Sequence, residues 1–526
     1  MSNLLGHIIL TYQDYEDGFK EFYEEVVNKP QDYGDLALEY QLLENDGIPE
    51  VKKLLYWGFV YRYSLANLSI PEIVEYDGRR ILINYDILTS YIIRKFCVVT
   101  FAKSIYYYDE RRGVFRENNG ILEKEIEKVL LRNGVGDKRK IRDTINEILA
   151  RVQWRTSVDS YPFNELSSKL IPVRNGVIFR QNGRRFLLPH LPTFGFTYCL
   201  PVEYNPSAQC PKIEKFIEQV VPEDSRKILY EIPALCLLQN PRLLYAYMLV
   251  GSGSNGKSTY LTLLERFLGR ENIASLSLQD LCEDKFRLAQ LVGKLANIHA
   301  DLPKNPVKYT GIFKMLTGGD VITAERKYRD PFEFVNKAVL IFSANELPKV
   351  NDNTYAFWRR WIIIEFPNRF ERNPNFIDEL TTDEELSGFL NKVLDAMDEI
   401  EQRGDVSKTD TVEKIKEEWL KKSNPVYAFV QECIEVKPGA YETKDDVYQA
   451  FVEFCNENDL ESLPKNKFAQ ELQRLIPELK QAQKRIGKER VRVWENIRLK
   501  RTDEEVSEVE SDFEEIEYDL TGVFSG

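Results

Sequence analysis

The spacing of apolar residues changes several times along the chain, and each change marks a segment. Residues 1–85 are rich in tyrosine and acid, with helical spacing in stretches such as DGFKEFYEEVV, and predict a helical region without evident chemistry. Residues 86–235 are mixed and predict an α+β domain. FCVVTFAKSIYYYDERRGVFRE alternates as strands do, and ILEKEIEKVLLRNG and KIRDTINEILARV carry the period of amphipathic helices. KLIPVRNGVIFRQNGRRFLLPHL predicts hairpins with Asn-Gly turns at Asn175 and Asn182, after which CPKIEKFIEQVVPEDSRKILYEIPALCLL returns to helix. Residues 236–385 alternate strand, helix and strand, the mark of an α/β sheet. Residues 386–423 are helical and charged and predict a connector. Residues 424–501 predict a compact last domain of three helices, YAFVQECI, KDDVYQAFVEFCNEN and KNKFAQELQRLI, followed by a basic segment ending in the alternating RVRVWENIRL. No internal repeat is visible.

Composition narrows the class. With 526 residues the chain is long enough for about three or four domains. Hydrophobic residues at 43% and aromatics at 12% exclude a disordered chain. No apolar run reaches the length of a membrane helix, and MSNLLGHIILTYQDYEDGF turns polar too early for a signal peptide. The expectation is an intracellular, soluble protein without a membrane partner. The seven cysteines are scattered with no CxxC pair, which excludes a zinc ribbon or a disulfide framework and predicts reduced core thiols. Net charge is −13, yet residues 502–526 hold ten of the carboxylates and no base, leaving 74 acids against 71 bases over residues 1–501. That near balance leaves room for basic patches, and the tail itself predicts a disordered acidic extension.

The chemistry begins at LLYAYMLVGSGSNGKSTYLTLLERFL, residues 243–268, where a glycine-rich turn joins an apolar strand to a helix. Gly251, Gly256, Lys257 and Ser258 satisfy G-x-x-x-x-G-K-S. Backbone N–H groups across Ser252, Gly253, Ser254 and Asn255 would face phosphate oxygens at a helix N-terminus. Lys257 would reach the β and γ phosphates of ATP, Ser258 would ligate Mg2+, and Thr259 is a second hydroxyl.

Such a loop needs a carboxylate on a neighbouring strand. KLANIHADLPK ends a predicted strand at Asp301, 44 residues after Lys257, and AVLIFSANELP delivers Asn345 another 44 residues on. Asp301 would hold the metal through water and polarise the attacking water, and Asn345 would orient that water. NDNTYAFWRRWIIIEF then presents Arg359 and Arg360 before another strand. Arginines so placed either complete a neighbouring subunit's site or form surface ion pairs.

From Gly251 to Arg360 these features fit within 110 residues, and their order resembles superfamily 3 helicases of the AAA+ class. More narrowly, GSGSNGKST, GKLANIHADLP, FKMLTGGDVITAERKYRDPFEF and FSANELPKVNDNTYAFWRRWIIIEFPNRF resemble the phage and plasmid primase-helicases related to the poxvirus primase-helicase. LIPVRNGVIF and LPHLPTFGFTYCLPVEYNPSAQCPKIEKFI resemble the domain that precedes the ATPase in that family. The resemblance covers roughly residues 90–385 and is similar to the helicase half of crenarchaeal plasmid primase-polymerases. It implies an AAA+ P-loop NTPase core between a mixed α+β region and a winged-helix-like end. It also implies Lys257 and Ser258 as nucleotide and magnesium ligands, Asp301 as the Walker B carboxylate, Asn345 as sensor 1 and Arg360 as an arginine finger, with Arg359 the fallback. The family often has paired acids at Walker B, whereas Ala300 precedes Asp301 here, which leaves the general base open and Glu325 and Glu346 unassigned.

The same resemblance implies a hairpin that grips DNA in a ring's channel, with Lys327 as the pore lysine between Arg326 and Tyr328. A cation beside an aromatic suits sequence-independent hold on one strand. KNKFAQELQRLI would be a recognition helix, and KQAQKRIGKERVRVWENIRL a wing with Lys480, Lys484, Arg485, Lys488, Arg490 and Arg492 against duplex backbone. Implied partners are single-stranded and forked DNA, further copies of the chain in a hexameric ring, and a primase or primase-polymerase. The chain itself carries no convincing primase carboxylates, DYED at Asp14 to Asp17 lying on a helical stretch, and is either a helicase by itself or part of a longer primase-helicase. An origin-binding initiator controlled by ATP, or a motor on another substrate, are the rival readings.

Overall fold

The computed structural model describes residues 3–28, 49–66, 68–78, 80–181, 183–302, 310–327, 330–345, 355–371, 373–486 and 489–500. Asn182, Tyr328, Glu346, Lys488 and the acidic tail lie outside the described residues. The chain divides into two compact units, residues 1–348 with 359–413 and residues 349–358 with 414–526.

The heart of the first unit is a five-stranded sheet: β1 (Ala246–Val250), β2 (Ile273–Ala274), β3 (Ala296–His299), β4 (Val339–Ala344) and β5 (Trp361–Glu365). Its order is β2-β3-β4-β1-β5, and every pairing is parallel. Parallel strands need crossovers that cover both faces, which explains why β4 is buried along its whole length and reads as a near-continuous apolar run. The helix α1 (Lys257–Leu268) follows β1 directly and buries Tyr260, Leu261, Leu264 and Phe267.

Upstream, the helices Asn3–Tyr12 and Pro49–Ala66 share one continuous core with strands of the 86–235 region and with the central sheet. The first 85 residues are not helical throughout. Val74–Asp77 and Arg80–Ile83 form an antiparallel hairpin turning at Gly78, whose φ is +61°. The signal was the Asp77-Gly78 pair between short apolar runs. Residues 99–117 form strands, Ile121–Arg132 and Lys138–Arg155 form helices, and Leu170–Val173, Gly176–Gln181 and Arg184–Leu188 form a meander.

The expected connector at 386–423 is corrected in its first half. Helix Asp383–Arg403 buries Leu386, Phe389, Leu390, Val393 and Met397 as part of the main core, so it is a structural wall of the first unit. Its C-terminal end is locked by a buried carboxylate. Glu231, fully buried, accepts from Arg403 Nη2 at 2.7 Å, from the Ser407 backbone N–H at 2.8 Å and from Ser407 Oγ at 2.6 Å. Removing one partner of such a group leaves a desolvated charge. Arg403→Ala is expected to lower unfolding stability by roughly 3 kcal/mol, measured by denaturant titration against wild type.

The second unit contains the helices Pro425–Cys433, Lys444–Glu457 and Lys465–Leu475 and three antiparallel strands. In the sheet, Glu489–Leu499 lies between Ile434–Thr443 and Lys480–Ile486. Phe429, Phe451, Phe454, Phe468 and Trp494 fill its core. Phe451 and Phe468 stack with centroids 4.4 Å apart.

Candidate nucleotide site

The strand order explains why residues far apart in sequence meet. β3, β4 and β1 are neighbours with a common direction, so their C-terminal ends lie side by side. Asp301, Asn345 and the loop from Gly251 leave those three ends, and a crevice outside the carboxyl ends of parallel strands is where such sheets bind ligands. A cleft of about 540 Å3 results, within the usual range for small-molecule sites, lined by Lys257, Ser258, Thr259, Asp301 and Asn345.

Left-handed backbone shapes the loop: φ is +102° at Gly253, +50° at Ser254 and +90° at Gly256. At Gly256 a Cβ would also come within 2.6 Å of Val220 Cγ1, from the helix Pro211–Val220 that helps close the cleft. One segment just after β5, residues 366–370, pins the loop from outside. Asn255 Nδ2 donates to the Phe366 carbonyl at 3.1 Å, and the Phe370 N–H donates to the Ser254 carbonyl at 2.8 Å. Arg369 donates to Ser252 Oγ through Nη2 at 3.1 Å and Nε at 3.3 Å.

Lys257 is buried, and its ammonium donates to the Gly251 carbonyl at 2.6 Å, Asn255 Oδ1 at 3.1 Å and Asn345 Oδ1 at 3.3 Å. Burial pushes its pKa below the ordinary lysine value, partly offset by the Asp301 carboxylate. A desolvated cation held only by neutral oxygens favours an incoming phosphate. Asp301 sits two residues beyond β3 with φ at +51°, rare for a residue with a side chain. Ser343 fixes that turn: its Oγ accepts from the Asp301 N–H at 3.3 Å and its carbonyl from the Leu302 N–H at 3.0 Å.

Arg359 and Arg360 lie elsewhere. They precede β5, whose Trp361 pairs with Ala246 at the start of β1, and the Arg360 carbonyl accepts from the Ala246 N–H at 2.9 Å. The loop leaves the other end of β1, five residues away or roughly 16 Å along a strand. Arg359 is exposed and Arg360 half-buried, with burial and the neighbouring Arg359 charge lowering the Arg360 pKa and Asp320 opposing them.

The expected hairpin is present as Val321–Ala324 paired with Phe332–Val335. Lys327 in its loop is exposed. Arg326 is half-buried and turned inward: Nη1 donates to Ser104 Oγ at 2.8 Å, lies 3.8 Å from Glu117, and its guanidinium covers the Phe332 ring. Glu325 is drawn to Lys285, its N–H donating to the Lys285 carbonyl at 3.4 Å, and it does not line the nucleotide cleft. In the second unit Arg485, Arg490 and Arg492 are exposed, while Lys484 pairs with Glu495 at 3.1 Å over the Tyr441 ring.

Sequence reasoning had no means to find Ser343, Arg369 or Phe370, or the amide role of Asn255. Their partners are remote in sequence, and serine, arginine or asparagine in those places carries no motif.

The sheet, the loop and the cleft define a P-loop nucleotide-binding core. Three family models match the chain around it: D5 N terminal like over residues 86–222, a family of unknown function (DUF5906) over 249–360, and Poxvirus D5 protein-like over 421–518. D5-type segments therefore flank the P-loop core, in keeping with the resemblance to the poxvirus primase-helicase group. The protein named "Putative helicase L207/L206" of Acanthamoeba polyphaga mimivirus is 31% identical over 166 residues, 30% of this chain and 17% of that protein. The chain thus spans about a sixth of that relative's length. Among solved structures, the A form apo structure of the NrS-1 C terminal region is similar at 14% identity and a TM-score of 0.44, covering 75% of this chain and 95% of that one. A second apo structure of that region, residues 305–718, is similar at 12% identity and a TM-score of 0.46. Among the described residues no helix is long and apolar enough to cross a membrane.

Proposed function

We propose that this chain is an ATP-dependent DNA helicase of plasmid or virus replication, an AAA+ motor of superfamily 3 that works as a closed ring on single-stranded DNA, moving 3' to 5'. The observation that carries this reading is the separation of Arg359 and Arg360 from their own phosphate loop by the length of β1. An arginine on that far edge is out of reach of its own nucleotide and would serve a neighbouring copy's, and heterologous contacts that close with cyclic symmetry would provide it. Six copies are proposed by family resemblance.

In this reading Lys257 binds the β and γ phosphates, backbone N–H groups of residues 252–256 cradle them, and Asn345 orients the attacking water. Asp301 polarises that water, and the general base is left unassigned, since Ala300 stands where a second acid is common, Glu325 does not line the cleft and Glu371 does. Ser258 and Asp301, both lining the cleft with oxygen donors, fit a magnesium ion, which would neutralise phosphate charge when bound. The hairpin bearing Lys327 would move with the nucleotide state and draw the strand, and the 424–501 domain would act as a winged helix on duplex DNA.

Strand displacement on forked duplexes with Mg-ATP tests this, with 3' and 5' tails compared. Wild type is expected to open only the substrate with one tail polarity, and Lys257→Ala to lose hydrolysis and displacement by more than about a hundredfold. Hydrolysis without displacement from either fork would instead favour an origin-binding initiator. The exposed arginines Arg485, Arg490 and Arg492 of the last unit are the observation that supports that second reading.

A further inference from the structure

A second and larger cavity, about 970 Å3, opens within the first unit between the strands of residues 104–117 and the β2 edge of the central sheet. It is strongly cationic in a chain whose net charge is −13. Arg111, Arg112, Arg116, Arg174, Arg270 and Lys294 line it, and among the described residues the acids in its wall are Glu117 and Glu271. Arg326, which belongs to the loop that also presents Lys327, lines it as well.

Most of these cations meet a carboxylate, in pairs that are largely exposed. Arg112 meets Glu271 at 3.0 Å with both side chains more than half exposed, and Arg270 meets Glu265 only at 3.5 Å. Arg116 lies 3.6 Å from Asp109, and Arg174 is shared between Glu203 and Asp383. Exposed pairs of this kind are weak and exchange readily for phosphate. The Arg111 guanidinium makes no ion pair with a described residue. Lys294 is half-buried against the Glu271 carbonyl, and both burial and the adjacent Arg270 charge hold its ammonium below the ordinary lysine value, with Glu271 opposing them. Like charges crowded in a partly desolvated wall are relieved by an anion.

We infer that this groove is a binding track for the phosphate backbone of single-stranded DNA, leading the strand to or from the Lys327 hairpin. Its volume, about 970 Å3, is of the order of a few nucleotides. The nearby aromatics Tyr106, Phe115 and Tyr198 are buried, so the contact is electrostatic and indifferent to sequence. The inference rests on the helicase reading, because it assigns the DNA that a motor would carry.

The test is oligo(dT) binding by the full chain, followed by fluorescence anisotropy over a range of salt. The double variant Arg111→Glu/Arg270→Glu changes two exposed side chains outside the nucleotide cleft and is expected to retain basal ATPase, which also reports its folding. Its affinity should fall at least about tenfold, and the slope of log K against log salt should shrink by about 1.4, the value for two lost phosphate contacts on a single strand. Arg111→Gln/Arg270→Gln, which adds no repulsion, should lose the same slope with a smaller loss of affinity. Wild-type affinity and slope in both variants, with Lys327→Ala still impaired, would overturn the groove and leave the helicase reading standing. No oligo(dT) binding by wild type in any nucleotide state would overturn both.

Discussion

Lys327→Ala is expected to hydrolyse ATP at close to the wild-type rate and to lose strand displacement. The two functions are separable in the structure because the hairpin Val321–Ala324 with Phe332–Val335 forms its own two-stranded sheet and contributes nothing to the lining of the nucleotide cleft. Of the described cations in its loop, Arg326 is committed to Ser104, Glu117 and the Phe332 ring, whereas Lys327 is exposed. Lys327 is therefore the charge available to a DNA phosphate. A charge-assisted contact is worth about 1.5–3 kcal/mol, so displacement should fall at least about tenfold even if one contact per step is lost. Steady-state ATPase and fork displacement on the same preparation check this. Equal displacement by variant and wild type would sink the role of the hairpin.

Arg360→Ala is expected to cost on the order of a thousandfold in ATP hydrolysis, the weight of an arginine that neutralises transition-state charge on a phosphoryl group. Geometry gives that loss an unusual signature. Arg360 sits at the start of β5 and the phosphate loop at the far end of β1, so a chain cannot offer its own arginine to its own nucleotide. Mixing Arg360→Ala with Lys257→Ala should therefore restore part of the activity, at interfaces where an intact loop meets an intact arginine. Each variant alone should remain inactive at any concentration. If rings assemble in the mixture, seen by sedimentation, and no activity returns, action between subunits is wrong. Arg359→Ala is the control for assignment: exposed and one residue earlier, it should retain most activity if Arg360 is the finger.

Much of the core was legible because its signals are local. An apolar strand, a glycine turn and a helix are consecutive in sequence, and Gly253 and Gly256 do adopt the left-handed backbone that such a turn requires. The alternating strand Glu489–Leu499 was legible for the same reason, since a period of two survives in the sequence whatever the strand packs against, whereas the hairpin around Lys327 was implied only by the family resemblance. The helix Asp383–Arg403 was misjudged as a connector because its many charges lie on one face. Arg180 and Arg185 answer Asp395 and Asp398 from a distant hairpin, while the opposite face fills the core.

The sequence by itself determined the phosphate loop, the residues Asp301 and Asn345 at strand ends, and the alternation that makes a parallel sheet, because these depend on neighbours in the chain. Only the tertiary structure decided which strands adjoin. The order β2-β3-β4-β1-β5 gathers Lys257, Asp301 and Asn345 at one edge and sends Arg360 to the other. It also turned Arg326 inward and gathered Arg111, Arg270 and Lys294 along one groove. Side-chain charge acts through space over a few ångströms, and distances of that kind are set by packing between segments that sequence spacing does not encode.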